Sequence, residues 1–254
     1  MQILLTNDDG IFSPGITAIY KELVKIGDVM VVAPASSQSG ASHSITFAEP
    51  LVCNKVDIND QLVGFSVQGS PADCVKLACM QLADQPIDLL VSGINNGVNT
   101  GINVFYSGTV AAAIEGAFLG IPALAMSLFT EEHMDYEGAA VYCIDILQKL
   151  MPLQAGDVIN INIPQLSNGK PKGIKIVPQS AKGFNERYIR QQNQHGQTVF
   201  QLAGEPHNFE TAKDDASSIE AGFITITALN PDMTNHEKTD ELQKVKWQFP
   251  YCSD

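Results

Sequence analysis

Three observations predict a doubly wound, mostly parallel α/β fold: a Rossmann-like three-layer sandwich with a C-terminal β-arm and helix extension. Over the first two-thirds of the chain, short apolar runs alternate with helical patterns. The runs are continuous rather than alternating, as strands covered on both faces must be. The loops that follow them hold the unusual polar residues, where open α/β sheets place their ligands.

The elements follow in order. Residues 3–6 form a short buried strand. Residues 16–26 have helical spacing, with Gly27 as a natural stop. Residues 29–33, closed by Pro34, are a second buried strand. Residues 51–56 and 62–67 alternate more and read as a hairpin-like pair. Ser70-Pro71-Ala72-Asp73 starts a helix running to about Ala83. Ser70 caps it, Pro71 suits its first position, and Asp73 favours its dipole. Residues 88–92 are a strand, followed by a Gly/Asn-rich loop over 93–107. A helix spans 108–120, a strand 123–127, an amphipathic helix 136–150 and a strand 158–163. Strands separated by helices indicate right-handed βαβ crossovers and a parallel sheet.

Beyond Pro178 the character changes. Residues 179–220 are polar, rich in Gln, Asn and Lys, and read as an excursion in the form of a β-arm. Residues 223–229 alternate and return as a strand, and 240–247 form a short terminal helix. The chain divides into a core of 1–178 plus 221–230, the excursion 179–220 and a C-terminal extension 231–254.

The net charge of −13 and pI near 4.7 argue against a duplex nucleic-acid partner, since such affinity comes mainly from basic groups neutralising phosphates. A small anionic substrate would have its charge met locally, and a bound cation is one way to do so. The five cysteines are odd in number and lack metal-ligand spacing, which suits free thiols in a reducing compartment. The N-terminal run has no basic segment and stops at Asn7-Asp8-Asp9, unlike a signal peptide. Residues 111–129 are nearly apolar, but Glu115 and Gly120-Ile121-Pro122 divide them into a helix and a strand rather than a membrane span. The cytoplasm is therefore the expected compartment.

Four loops carry candidate chemistry. In Thr6-Asn7-Asp8-Asp9-Gly10, two adjacent carboxylates follow a buried strand. They repel unless a cation is present, and as hard oxygen donors they suit Mg²⁺ or Mn²⁺. An Asx-type turn with Gly10 at positive φ is the competing, purely local reading. The loop 34–44 holds Ser36, Ser37, Ser39, Ser42 and Ser44, whose hydroxyls suit a metal shell or phosphate oxygens. The loop 92–99 offers Asn95 and Asn96 as neutral oxygen donors. Tyr106-Ser107-Gly108-Thr109 opens a helix whose N-terminus is an anion site, although Ser107 also serves as a simple cap. His43, in the serine loop, reads as a substrate contact, an acid or a solvated histidine. Dinucleotide, P-loop and nucleophile-elbow motifs are all missing. Adjacent rather than alternating aspartates also disfavour a phospho-aspartate intermediate.

Together these segments resemble the SurE family of stationary-phase survival nucleotidases. The matches are ILLTNDDGIFSPGI at 3–16, VVAP and SGASHSIT within 31–46, GSPADCVKLA at 69–78, VSGINNGVN at 91–99 and YSGTVAAAIEG at 106–116. INIP at 161–164 and GFITITAL at 222–229 extend the likeness along the chain. The resemblance implies a metal-dependent phosphomonoesterase of nucleoside 5′-monophosphates, a 5′-nucleotidase, acting also on 3′-monophosphates and short polyphosphate. It implies Asp8, Asp9, Ser39 and Asn95 as ligands of Mg²⁺ or Mn²⁺, with Asp8 and Asp9 catalytic. It places Ser107, Gly108, Thr109 and Asn96 around the substrate phosphate. It further implies a homodimer or homotetramer with exchanged C-terminal arms. The rings of Phe184, Tyr188, Phe200, Trp247 and Phe249, scattered over a region too polar for its own core, fit such packing on a second copy. Family members carry charged residues where this chain reads Ala35-Ser36-Ser37-Gln38, so no charged contact is carried over there. The alternative function is a non-catalytic metal-dependent nucleotide sensor using the same loops.

Overall fold

The computed structural model describes residues 1–59, 62–181, 185–205 and 213–247. Phe184 and Phe249 lie outside them. Among the described residues, nine strands form one sheet: β1 (Gln2–Thr6), β2 (Asp28–Pro34), β3 (Cys53–Asn59), β4 (Leu62–Val67), β5 (Leu89–Asn96), β6 (Ala123–Leu128), β7 (Val158–Ile163), β8 (Ile174–Ile176) and β11 (Ile224–Leu229). Their order is β3-β4-β2-β1-β5-β6-β7-β11-β8. Only β3 against β4 and β11 against β7 are antiparallel. The remaining strands, β9 (Asn185–Gln192) and β10 (Thr198–Glu205), form a separate antiparallel hairpin.

β1 has β2 on one side and β5 on the other, so the chain leaves the centre in one direction and returns to extend the sheet in the other. The crevice at the carboxyl end of β1 is thus the switch point where doubly wound folds bind ligands.

Alternation along the strands builds two apolar layers. Ile3 and Leu5 of β1 pack with Ile16 and Ile19 of α1 (Pro14–Leu23) and Cys143 and Leu147 of α4 (Tyr136–Leu150). Leu4 points the other way, toward Cys74 and Val75 of α2 (Pro71–Leu77) and Val110 and Ala113 of α3 (Gly108–Phe118). Each fully buried Ile or Leu contributes about 1.5–3 kcal/mol, and the sheet is covered on both faces.

The expected starts of α2 and α3 appear with their caps: Ser70 and Asp73 form a reciprocal capping box, and Ser107 accepts from the Val110 amide. Several boundaries differ: α1 is Pro14–Leu23 rather than 16–26, β3 is Cys53–Asn59 rather than 51–56, and three further departures have a visible cause. β5 continues through Asn96 instead of ending at Ser92, because after an irregularity Asn95 and Asn96 pair with Ser127 and Leu128 of β6. The terminal helix α6 is His236–Gln243, earlier than 240–247, because the Asn235 side chain caps it by accepting from the Lys238 amide. The stretch 179–220 contains the hairpin, but its end, α5 (Asp215–Glu220), packs back on the core with Asp215, Ser217, Ser218 and Ile219 buried. Among the described residues, no helix is long and apolar enough to cross a membrane.

Candidate active site

The turn after β1 is built by Asn7, whose amide nitrogen donates to the Gly10 carbonyl at 2.9 Å and to Ser13 Oγ at 2.7 Å. Gly10 has φ +101°, a conformation glycine adopts without strain. The local-turn reading is therefore correct as far as it goes, but the two aspartate carboxylates take no part in that clamp. Asp8 Oδ1 accepts from the Thr109 hydroxyl at 2.6 Å, and Asp9 Oδ2 accepts from the Asn96 amide at 3.0 Å. Asp8 is almost fully buried. Burial pushes its carboxyl above the ordinary range, the Thr109 bond opposes that, and the charge of Asp9 adds to it. Burial likewise raises Asp9, against the Asn96 amide.

The N-terminus of α3 lies directly against Asp8. A Cβ on Gly108 would stand 2.9 Å from Asp8 Cβ and 3.0 Å from Pro71 Cγ, so only glycine permits this approach. The first amides of a helix have no partner within it. Ser107 Oγ spends a lone pair on the Val110 amide and keeps its proton to donate. Of the residues expected around the phosphate, Thr109 gives its hydroxyl proton to Asp8.

The serine loop is tied to the same centre. The Gln38 amide donates to the Asp8 carbonyl at 2.7 Å, and Ser42 donates through its amide to the Tyr106 carbonyl and through its hydroxyl to that of Phe105. Ser39 is exposed, with its hydroxyl 3.0 Å from that of Ser37. His43 is held at 2.9 Å from Glu115 Oε2 and stacks on Phe118, while Lys76 takes the other Glu115 oxygen at 2.9 Å. Asn95 is nearly buried, and its amide nitrogen donates to the Gly97 carbonyl, which leaves its side-chain oxygen out of that bond.

Several supporting residues escaped the sequence reading. The Asn99 amide donates to Asn162 Oδ1, and its side chain donates to Ser127 Oγ. The Asn99 carbonyl accepts from Asn160, and buried Asp215 accepts from the Gly101 amide. This network fixes the segment leading into α3. Its visible signal was the pair Asn160 and Asn162 inside the apolar run VININI.

A divalent cation fits this donor set. Two carboxylates with raised proton affinity stand side by side, with neutral amide and hydroxyl oxygens on the adjoining loops, as a hard cation requires. Thr6 and Ser92, adjacent in register, and Asn7 Oδ1 also keep buried side-chain oxygens without a protein partner near the end of β1. Among the described residues, no three His, Cys, Asp or Glu side chains gather as a ligand group, so neutral oxygens would have to complete the shell.

Known proteins are similar to this chain along nearly its whole length. The family described as Survival protein SurE matches residues 3–186. The 5′-nucleotidase SurE of Rhodopirellula baltica is 40% identical over 247 residues, covering 96% of this chain and 98% of that protein. The 5′-nucleotidase SurE of Syntrophus aciditrophicus is 39% identical over 249 residues, covering 96% and 94%. The crystal structure of the SurE protein from Aquifex aeolicus superposes with a TM-score of 0.82 at 37% identity, covering 96% of this chain and 98% of that one. With the fold, the motif order and the relatives in agreement over this length, the chain belongs to the SurE family.

Proposed function

We propose that this protein is a 5′-nucleotidase that hydrolyses nucleoside 5′-monophosphates to nucleoside and phosphate, with a divalent cation, Mg²⁺ or Mn²⁺, held by Asp8 and Asp9. The observation that carries the reading is the meeting of a carboxylate pair and a helix N-terminus at one point, where Gly108 lets α3 approach Asp8. Asn95 and Ser39 complete the proposed cation shell. When bound, the cation supplies neutralisation of the phosphoryl charge.

The chain's own residues do the rest. Thr109 holds Asp8 in one orientation and the Asn96 amide does the same for Asp9. The first amides of α3 and the Ser107 hydroxyl receive phosphoryl oxygens, a pre-set arrangement of dipoles that costs little reorganisation during reaction. The carboxylate pair orients the attacking water and draws off its proton. Extension of the activity to 3′-monophosphates and short polyphosphate is proposed with it, on the likeness of the motifs to the family.

The protein is further proposed to be at least a homodimer, a homotetramer being the larger form. Tyr188, Phe200 and Leu202 of the hairpin and Trp247 beyond α6 are 70%, 62%, 52% and 66% exposed. A two-stranded hairpin is marginal in water by itself, and exchange of identical arms would cover these side chains.

The test of function is colorimetric release of inorganic phosphate from 5′- and 3′-nucleoside monophosphates, with Mg²⁺, with Mn²⁺ and with chelator. Metal-dependent release is expected. Nucleotide binding without release would return the protein to the sensor class.

A further inference from the structure

Helix α3 begins at Ser107–Thr109, beside the carboxylate pair, and its other end meets the serine loop. Glu115, near that far end, is a buried carboxylate with no part in the chemistry proposed above. It accepts on both oxygens: from His43 Nε2 at 2.9 Å on Oε2 and from Lys76 Nζ at 2.9 Å on Oε1. An ionised carboxylate only accepts, so the His43 ring carries a proton on Nε2. The same ring stacks on Phe118, one turn further along α3, with centroids 5.8 Å apart and planes inclined by 17°.

The loop needs such a hold. Ser42, next to His43, has φ +56° and is the only non-glycine residue with positive φ among those described. A side chain resists that left-handed conformation, which persists only where the surroundings over-determine it. Here the Ser42 amide and hydroxyl donate to the carbonyls of Tyr106 and Phe105, the Ser70 hydroxyl donates to the Ser44 carbonyl, and Glu115 holds His43. Ser39 and Gly40, just before, stand exposed in a turn closed by the Ala41 amide on the Gln38 carbonyl. A Cβ on Gly40 would meet nothing within 4 Å. The place of Ser39 is therefore set by the anchors on either side: the Gln38 amide on the Asp8 carbonyl before it, and Ser42 with His43 after it.

We propose that His43 is a positioning residue: through Glu115 it ties the serine loop to α3, so that one helix sets both the phosphate-binding end at Ser107 and the place of Ser39 beside the cation. The proposal rests on the nucleotidase reading, with Ser39 in the cation shell, and deepens it by naming what aligns that shell. Lys76 has a different part. It takes the other Glu115 oxygen from α2, and its loss leaves the bond between His43 and Glu115 in place.

The test compares the full-length wild type with His43→Ala, His43→Gln and Lys76→Met. Three quantities are read: Mn²⁺ affinity by titration without nucleotide, amide hydrogen exchange of residues 38–44 in chelator, and the kinetic constants for AMP. His43→Ala should weaken Mn²⁺ binding about 10–100-fold, speed exchange in the loop, and raise KM more than it lowers kcat. His43→Gln, whose side-chain amide can donate to Glu115, should recover most of the loss. Lys76→Met should lower Tm while Mn²⁺ affinity stays close to wild type. Unchanged exchange and Mn²⁺ affinity in His43→Ala overturn the proposal. So does a Lys76→Met protein that loses as much Mn²⁺ affinity as His43→Ala, since the effect is then one of stability alone. A wild type that binds Mn²⁺ but releases no phosphate removes the hydrolase reading only, and the first two quantities still decide the role of His43. A wild type that binds no Mn²⁺ removes both.

Discussion

The Thr109 hydroxyl donates to Asp8 Oδ1 at 2.6 Å, joining the first turn of α3 to the end of β1 across 101 positions of chain. Thr109 is fully buried, so this bond is made without competition from solvent. It fixes which Asp8 oxygen faces the protein and therefore which one faces a ligand. Replacing Thr109 by Val keeps the shape and removes the donor. Phosphate release at saturating metal should fall about 10–100-fold, as when a group supporting a metal ligand is lost. Thr109→Ser should retain most of the rate. Equal steady-state rates for Val and wild type would remove this role.

The carboxylate pair gives a stability prediction of defined sign. Both carboxyls are raised above their ordinary 3.8 in the fold. The folded state then binds protons more tightly than the unfolded one, so metal-free stability falls as pH rises from 3.8 through the raised values. At neutral pH that penalty is fully present. Asp8→Asn and Asp9→Asn should abolish phosphate release, yet melt in chelator at or above the wild-type temperature. Added Mg²⁺ or Mn²⁺ should raise the wild-type Tm and leave the variants unmoved. A variant that melts well below wild type in chelator would contradict the account.

Glu115 titrates with the opposite sign. Its bond with His43, and after that its bond with Lys76, hold the carboxyl below the usual 4.5 against a contrary effect of burial. A lowered folded value contributes stability that is present above 4.5 and is lost as pH falls through the lowered value. Glu115→Gln should therefore reduce Tm at pH 7 by about 2–4 °C, about 1 kcal/mol once screening of the partly exposed partners is counted. The gap to wild type should close in acid. His43 carries the loop that reaches Ser39, so KM for nucleotide should rise more than kcat falls. Thermal melts from pH 3 to 8, with Michaelis kinetics at neutral pH, read both effects. A Tm gap that is constant with pH speaks against the ion pair.

Assembly is checked by light scattering on the full chain and on a truncation ending at Asn230. The full chain should be a dimer or larger at micromolar concentration, and the truncation should lose mass per particle or melt earlier. A full-length monomer, or a truncation unchanged in both respects, excludes a structural role for the tail in assembly.

Much of the molecule follows from local pattern. Continuous apolar runs between helical repeats identify a covered parallel sheet, because a strand buried on both faces has no polar side to display. Ser70 and Ser107 mark helix starts because a hydroxyl before a helical run satisfies amides that have no other partner. The adjacent aspartates after the first strand are legible as a candidate cation site because like charges this close need a counter-charge. Boundaries that depend on pairing, such as the continuation of β5 through Asn96, were missed because the partner strand β6 lies far along the chain.

By itself the sequence determined the layers of the sandwich and the family to which the motifs point. Those features reside in neighbouring residues and in periods of two and 3.6, which backbone geometry imposes locally. Only the tertiary structure decided that the Thr109 hydroxyl donates to Asp8 and that His43 belongs to Glu115. A donor's partner is chosen by distance and burial across the fold, and a stretch of sequence carries no record of which distant atom will arrive within 3 Å.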